Sequence, residues 1–446
     1  MPPIVLDHTL ADLYSQDGDA SKLVAVFMFP TPRTSSSPSK YTYQSPLAPS
    51  TDQVAVERRR LHNQPLKMAF LAGNMPVVFL DLDVEKKGGS DHIEDAAEVF
   101  GQLHPSQRPN LSFVPSLDDI RLPPNAEVVV LSPVDRMSHL PHAVDPEHHY
   151  DLLSKRRLAY SGLPTPKTTI IDSLPQDDFP QSQLDDEVQR MMRPIYEQDF
   201  PFIIKVPQAV GGLGTFIIHT KAQREAATKV LQNELRQMLQ AVNPLNRHLY
   251  PCCLVLQEFV PGETMGLTLF VTQRGRPIFN GCCTQAMDPR GFWGGGTMSY
   301  PRQPELEKRF AGLMDQIADV LHRRGYYGPA GVDIMIDKDG RALVIDFNVR
   351  VTGSYTLGCL RSHFQSRGLS EALLYSCNAY CSQQEFRQHF QKEMEEGSVI
   401  LITWTSHFPD GSSLVMLCMA AADQNQLQGL ATRIQSYVSM LQQERS

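Results

Sequence analysis

No apolar run in the 446 residues approaches the eighteen or more that a membrane-spanning helix requires, so a bundle of such helices is not expected. A surplus of basic charge is also missing. Forty-one Lys and Arg against forty-nine Asp and Glu leave a formal net charge of −8, whereas non-specific nucleic-acid binding and polybasic membrane anchoring both need excess cations. Cysteine is absent from the first 251 residues. The eight that follow (Cys252, Cys253, Cys282, Cys283, Cys359, Cys377, Cys381, Cys418) form neither a CxxC nor a paired zinc spacing. The two vicinal pairs cannot bridge internally without strain, so reduced core thiols in a cytoplasmic protein are expected. The opening MPPIVLDHTL has no basic segment and places Asp7 in its one apolar stretch, which does not read as a secretory signal. Internal repeats are lacking. What is present, 41% hydrophobic residues over this length, supports two to four packed units.

Along the chain, 23–29 reads as a short buried strand, and 30–60, dense in Pro, Ser and Thr, as a flexible stretch within an N-terminal segment 1–65. From 66 to 150 the pattern alternates. MAFLAG (68–73), VVFLDLD (77–83) and EVVVLSP (127–133) read as strands and 92–103 as a helix, an open α/β unit with a parallel sheet. A second unit begins near 151. It holds a short helix stopped by Gly162, an amphipathic run at 184–199, strand-like FIIKV and TFIIH about a glycine-rich bend, and a helix at 221–242. Residues 256–375 contain antiparallel strands, a helix at 304–325 and a hairpin at 331–349. A small α+β domain is expected from 376 to 446. The fold class is therefore mixed α/β and α+β, in several domains.

The hairpin GVDIMIDKDGRALVIDFNVR carries the most chemistry. Asp339-Gly340 favours a two-residue type I′ turn, and that register places Asp333 directly opposite Asp346, with Asn348 and Arg350 on the same face. Opposed Cβ atoms lie about 5 Å apart, and like charges there repel. Two carboxylates and an amide oxygen on one face ask for a divalent cation, and hard oxygen ligands suit Mg²⁺ bridged to phosphates. DKDG lacks the glutamate of a calcium loop.

A second feature is FIIKVPQAVGGLGTFII. Lys205 lies on the strand face opposite Phe202 and Ile204, and Gly211, Gly212 and Gly214 let backbone N–H groups approach an anion. The stretch is neither a Walker A motif nor a dinucleotide fingerprint. A third is LVLQEFVPGET, a strand edge whose backbone could read a purine, with Gln257, Glu258, Val260, Glu263 and Thr264 nearby.

The order of lysine strand and glycine loop, purine-reading edge, and acidic hairpin ending VIDFNVRVTGS resembles the ATP-grasp superfamily of carboxylate–amine ligases over roughly 150–375, with 66–150 similar to the domain that precedes the grasp. The resemblance implies the ATP-grasp fold and an ADP-forming enzyme that makes an amide or peptide bond through an acyl phosphate, on an amino acid or small carboxylic acid. It implies ATP held by Lys155, Lys205, the Gly211–Gly214 loop, Gln257, the Glu258 carbonyl, the Val260 N–H, and Glu263 or Thr264. One or two Mg²⁺ fall to Asp333, Asp346 and Asn348, and Arg350 faces the γ-phosphate or acyl phosphate. The family more often has Glu at positions 346 and 257. The run RVTGS and the loop at 291–301 look nearest to the peptide and amino-acid ligase branch. Arg290, Trp293, Gly295, Arg302, Ser354 and Tyr355 are weaker candidates for the acceptor pocket, and His148 and His149 read as surface residues. The implied partners are a small-molecule carboxylate and amine, without nucleic acid or membrane, and a homodimer is left open. Two alternatives stand beside this reading: a biotin-carboxylase-like enzyme, and an ATP-binding regulatory module without ligase activity.

Overall fold

The computed structural model describes residues 3–28, 38–44, 63–80, 91–174, 180–209, 214–287, 293–406 and 411–445. The N-terminal unit is a parallel four-stranded sheet of β1 (Leu23–Val26), β2 (Pro76–Leu80), β3 (Asn110–Val114) and β4 (Glu127–Val130), in the order β3-β2-β1-β4. Both its faces are covered, as a parallel sheet requires. Leu23, Ala25, Val77 and Val129 face one core, and Val26 and Val128 another. MAFLAG is not a strand. Residues 63–69 are helical, and Leu66, Met68, Ala69, Phe70, Leu71 and Ala72 are all buried. A run apolar on every side carries no period to separate strand from helix.

A second four-stranded sheet, antiparallel, orders β5 (Thr168–Asp172), β8 (Cys253–Glu258), β6 (Phe202–Lys205) and β7 (Thr215–Ile218) as β5-β8-β6-β7. One face, with Ile171, Phe202, Ile204, Ile218, Leu254 and Leu256, packs against helices Gln181–Glu197 and Lys221–Gln240. The second helix opens on a capping box, Thr220 with Gln223, which satisfies two orphan N–H groups. Strand alternation leaves Thr168, Ile170, Ile203, Lys205, Ile217, Val255 and Gln257 on the other face. That face looks into the cleft.

The third sheet has eight antiparallel strands: β9 (Gly262–Val271), β10 (Pro277–Met287), β11 (Trp293–Ser299), β12 (Gly328–Asp337), β13 (Ala342–Asn348), β14 (Glu371–Ala379), β15 (Val399–Thr405) and β16 (Ser413–Ala421), ordered β13-β12-β9-β10-β11-β14-β16-β15. Helix Gln303–His322 lays Leu306, Phe310, Met314, Ile317 and Leu321 on Leu267, Leu269, Val332 and Ile334. Burying each such side chain contributes about 1.5–3 kcal/mol.

The separate domain expected from 376 is not found. That boundary falls inside β14, which pairs with β11 on one side and β16 on the other. Trp404, Leu417, Phe386 and Ile434 share one core with Leu23 and Phe70 of the N-terminal unit. The C-terminal strands thus fill an edge of the large sheet and a face of the first unit together.

Candidate nucleotide and metal site

The hairpin β12–β13 reaches the expected pairing by a different route. Its turn is not a two-residue one. The Asp337 N–H donates to Arg341 O (3.0 Å) and the Gly340 N–H to Asp337 O (2.9 Å), closing a three-residue loop with Gly340 at φ +79°. The register near the turn is therefore offset by one, with Ile336 opposite Ala342 and Ile334 opposite Val344. An irregularity at Ile345 then adds one residue to β13. The two offsets cancel, so Asp333 faces Asp346, Val332 faces Phe347, and Gly331 faces Asn348. Ile345, the inserted residue, turns its carbonyl to the opposite sheet, where it accepts from Lys205 Nζ at 2.6 Å.

Lys155 arrives from the same side. It opens the short helix Lys155–Ala159 behind the N-cap Ser154, and its Nζ donates to Ala209 O (2.9 Å) and lies 3.5 Å from Asp346 Oδ1. Both lysines are buried. Burial pulls the Lys205 ammonium down to about 8, partly offset by Asp346. Across the cleft, burial first and Asp346 second raise the Asp333 carboxyl to about 7. Burial likewise lowers Arg350, whose side chain lines a small cavity with Lys155, Asn348, Gln208, Ser132 and Tyr43.

Two residues the sequence reading passed over complete the acidic row. Gln285 on β10 donates from Nε2 to Asp333 Oδ1 at 2.6 Å. Gly266 lies between them: it pairs with Asp333 on β12 and with Cys283 on β10. A Cβ there would meet Gln285 Nε2 at 3.2 Å and Cys283 Sγ at 3.3 Å. Glycine leaves room for the amide to cross the strand. No hairpin rule reaches this pair, because β9 and β12 are neighbours in the sheet but not in the chain.

Among the described residues no three His, Cys, Asp or Glu side chains converge as a metal cluster. Two opposed carboxylates with an amide oxygen two residues further along β13 form a smaller, all-oxygen set. Such a set fits Mg²⁺, which keeps waters and shares substrate phosphates rather than filling a protein cage. The raised Asp333 carboxyl agrees, since a nearby positive charge would relieve it.

At the other end of the cleft, Gln257 is buried and donates from Nε2 to Thr168 Oγ1 (3.0 Å). Glu258 exchanges two bonds with Lys167, its N–H to Lys167 O (2.9 Å) and its Oε1 from the Lys167 N–H (2.8 Å). Val260 is half-buried in the turn that follows. Glu263 is exposed and Thr264 half-buried on β9.

The remaining candidates scatter. Gly211, Gly212 and Arg290, and the side chain of Trp293, lie outside the described residues. Gly214 accepts at its carbonyl from the Val206 N–H (2.9 Å) at the end of the loop. Gly295, at φ +150°, allows β14 to approach, because a Cβ would lie 2.1 Å from Leu374 O. Arg302 is exposed. Ser354 is buried beside Thr352, Oγ to Oγ1 3.2 Å. Tyr355 is wholly buried in the large core, and its hydroxyl has no partner among the described residues.

Two expectations need correction. His149 is not at the surface. It is buried, its Nε2 lies 2.7 Å from Val349 O beside Arg350, and burial takes the imidazole down to about 4, so it is neutral and Nε2 carries the donated proton. Residues 38–44, inside the stretch expected to be flexible, are packed; the rest of 30–60 up to residue 62 lies outside the described residues. Tyr41, Thr42, Tyr43 and Gln44 are buried. Gln44 Oε1 accepts from the Gln208 N–H (2.6 Å), Gln44 Nε2 donates to Pro251 O, and Tyr43 Oη donates to Pro133 O. This strap ties the first unit to the root of the glycine loop. Low overall hydrophobicity hid it, since its anchors are two tyrosines and one amide.

Lys205 on one sheet and Lys155 on a helix beside it thus meet the carboxylate row of the facing sheet. Residues 155–354 match the family model described as an ATP-grasp domain. Solved structures share the fold across nearly the whole chain. Phosphoribosylamine–glycine ligase from Thermotoga maritima is 14% identical at a TM-score of 0.52, with 93% of this chain and 96% of that one covered. N5-carboxyaminoimidazole synthetase from Staphylococcus aureus, complexed with ADP, is 10% identical at 0.51, covering 92% and 96%. L-amino acid ligase from Bacillus licheniformis is 12% identical at 0.50, covering 93% and 97%. Among the described residues no helix is long and apolar enough to cross a membrane.

Proposed function

We propose that this protein is an ATP-dependent, ADP-forming carboxylate–amine ligase that joins an amino acid or small carboxylic acid to an amine. The observation that carries the proposal is the meeting of Lys205 and Lys155 with the Asp333–Asp346 row across one cleft, through the 2.6 Å and 3.5 Å contacts to Ile345 O and Asp346. Three buried cations (Lys155, Lys205, Arg350) gather where, among the described residues, two carboxylates answer them. An anionic ligand completes that balance.

A carboxylate is a poor electrophile, so it attacks the γ-phosphorus first, the β–γ bridging bond breaks, and ADP leaves. The amine then attacks the acyl carbon, phosphate departs with the bonding pair, and the ammonium proton is lost. Lys205 and Lys155 move from their internal oxygen partners to the phosphate oxygens and stabilise the charge spread over them. Arg350 neutralises the acyl phosphate from the end of β13. Asp333, Asp346 and Asn348 would hold Mg²⁺, which would supply further charge neutralisation to the phosphates. The base lies against Gln257, the Glu258 carbonyl and the Val260 N–H, with ribose near Glu263 or Thr264. The strap at 38–44 fixes the root of the loop Gly211–Gly214, which shields the acyl phosphate from water.

The test is a screen of amino acids and small acids, in pairs with amines, for coupled ADP release, followed by the mass of the product. Release that requires both partners and yields a product lighter by one water than their sum is expected. Release needing only bicarbonate and biotin would make the chain a carboxylase, and nucleotide binding without any release would make it a regulatory module.

A further inference from the structure

Gln257 is an uncharged amide, and an amide has two unlike ends. Which end is held by the protein and which is left over is decided by Thr168. The Thr168 Oγ1 lies 2.8 Å from Pro166 O, which has no proton to give, so the hydroxyl spends its single proton there. It can then only accept from Gln257, which places Nε2 on Thr168 at 3.0 Å and turns Oε1 away. That oxygen is buried and has no partner among the described residues. An unpaired buried acceptor is unfavourable, and it is satisfied when a donor arrives.

We infer that the relay Pro166 C=O, Thr168 O–H, Gln257 N–H makes Thr168 the positioning residue for nucleobase choice, presenting an acceptor that selects adenine over guanine. The inference rests on the nucleotide reading given above. Gln257 shares its sheet face with Lys205, and Ile203 and Ile217 lie between them and the edge, Ile217 being 49% exposed. Such a floor takes the flat face of a base while Lys205 takes the phosphates. The exocyclic amine of adenine donates to Oε1. Guanine brings a carbonyl oxygen to the same place, lone pair against lone pair, and a site built to pair one group rejects its inverse strongly.

The experiment measures, by calorimetry on the full chain with Mg²⁺, the dissociation constants of the non-hydrolysable imido analogues of ATP and GTP. The wild type is expected to prefer the adenine analogue at least tenfold. Thr168→Val, which keeps the shape but offers no acceptor, frees the amide to turn over, and the preference should fall tenfold or more. Thr168→Ser should restore it. A carboxylate presents an acceptor from either end, so in a Gln257→Glu background Thr168→Val should leave the preference unchanged; a purely structural role for Thr168 would move it equally in both backgrounds. An unchanged preference in Thr168→Val, with thermal unfolding like the wild type, would overturn the relay while leaving the nucleotide site standing. A wild-type chain that binds neither analogue would remove the site and the relay together.

Discussion

Replacing Asp333 by Asn removes one of two facing carboxylates, and the structure gives the size and the pH dependence of the result. Burial and Asp346 raise the Asp333 carboxyl from 3.8 to about 7. At about 1.4 kcal/mol per pH unit this amounts to roughly 4 kcal/mol against the charged form. The side chain keeps partial exposure, and Lys155 and Lys205 stand nearby, so about half of that, ~2 kcal/mol, is the working figure. The sign follows from proton binding. The folded state holds this proton more tightly than the unfolded chain, so the wild type is favoured below about pH 4 and loses stability up to about pH 7. The Asn variant has no such slope. It keeps an oxygen for Gln285 Nε2 and gives Asp346 an N–H. Urea unfolding of both proteins, without nucleotide and with a chelator, should coincide near pH 4 and separate progressively, the variant more stable by ~2 kcal/mol at pH 8. The same variant should lose turnover. A variant no more stable than the wild type at pH 8, or a difference that does not change with pH, would refute the reasoning.

Other perturbations probe neighbouring links. Lys205→Ala should abolish ADP release while far-UV circular dichroism stays native, because the residue serves phosphate charge; the orphaned Ile345 carbonyl costs about 1–3 kcal/mol in unfolding measurements. Asp346→Glu should retain activity, since the longer side chain still reaches the cation; a dead variant would mean that the metal face is misassigned. Gly266→Val should drive Gln285 off Asp333, and steady-state rates should drop at least tenfold in step with those of Gln285→Leu; wild-type rates in both would exclude a positioning role for the amide.

Which parts were legible follows from how far each interaction reaches along the chain. The facing aspartates lie within one hairpin, so a sequence-local rule found them, although by two errors of opposite sense. A three-residue turn and an inserted Ile345 each shift the register by one, and neither leaves a mark in a pattern of alternating apolar residues. Lys205 was visible because strand alternation sets it against Phe202 and Ile204. Its partner, Ile345 O, was not, since a backbone carbonyl has no residue signature. Gln285 lies 48 positions from Asp333, and only the β9–β10 and β9–β12 registers bring it near. The helix at 63–69 and the continuity of β14 with the large sheet were lost for different reasons. A run buried on all sides lacks periodicity, whereas β14 is half-buried and its place in the large sheet is set by the strands that flank it.

The energetics of the site point the same way as its composition. Lys205 is held near 8 and Asp333 near 7, each displaced by burial toward its neutral form. Left to stability alone, a chain would replace such a pair by apolar residues of similar volume, which often costs nothing. Here the charges are kept, and the partners among the described residues are substitutes: a backbone carbonyl for Lys205, and for Lys155 a carbonyl and an Asp346 oxygen at 3.5 Å. None is a short bidentate ion pair of the kind Arg156 makes with Asp172 nearby, at 2.8 Å through both nitrogens. The same fold can therefore build a fully satisfied charge pair a few residues away, and does not do so in the cleft. Cations buried at the expense of stability and bonded to weak acceptors are poised to exchange those acceptors for a polyanion. Added nucleoside triphosphate should accordingly raise the unfolding temperature of the wild type much more than that of Lys205→Ala. Equal shifts in the two proteins would show that the lysine is not waiting for phosphate.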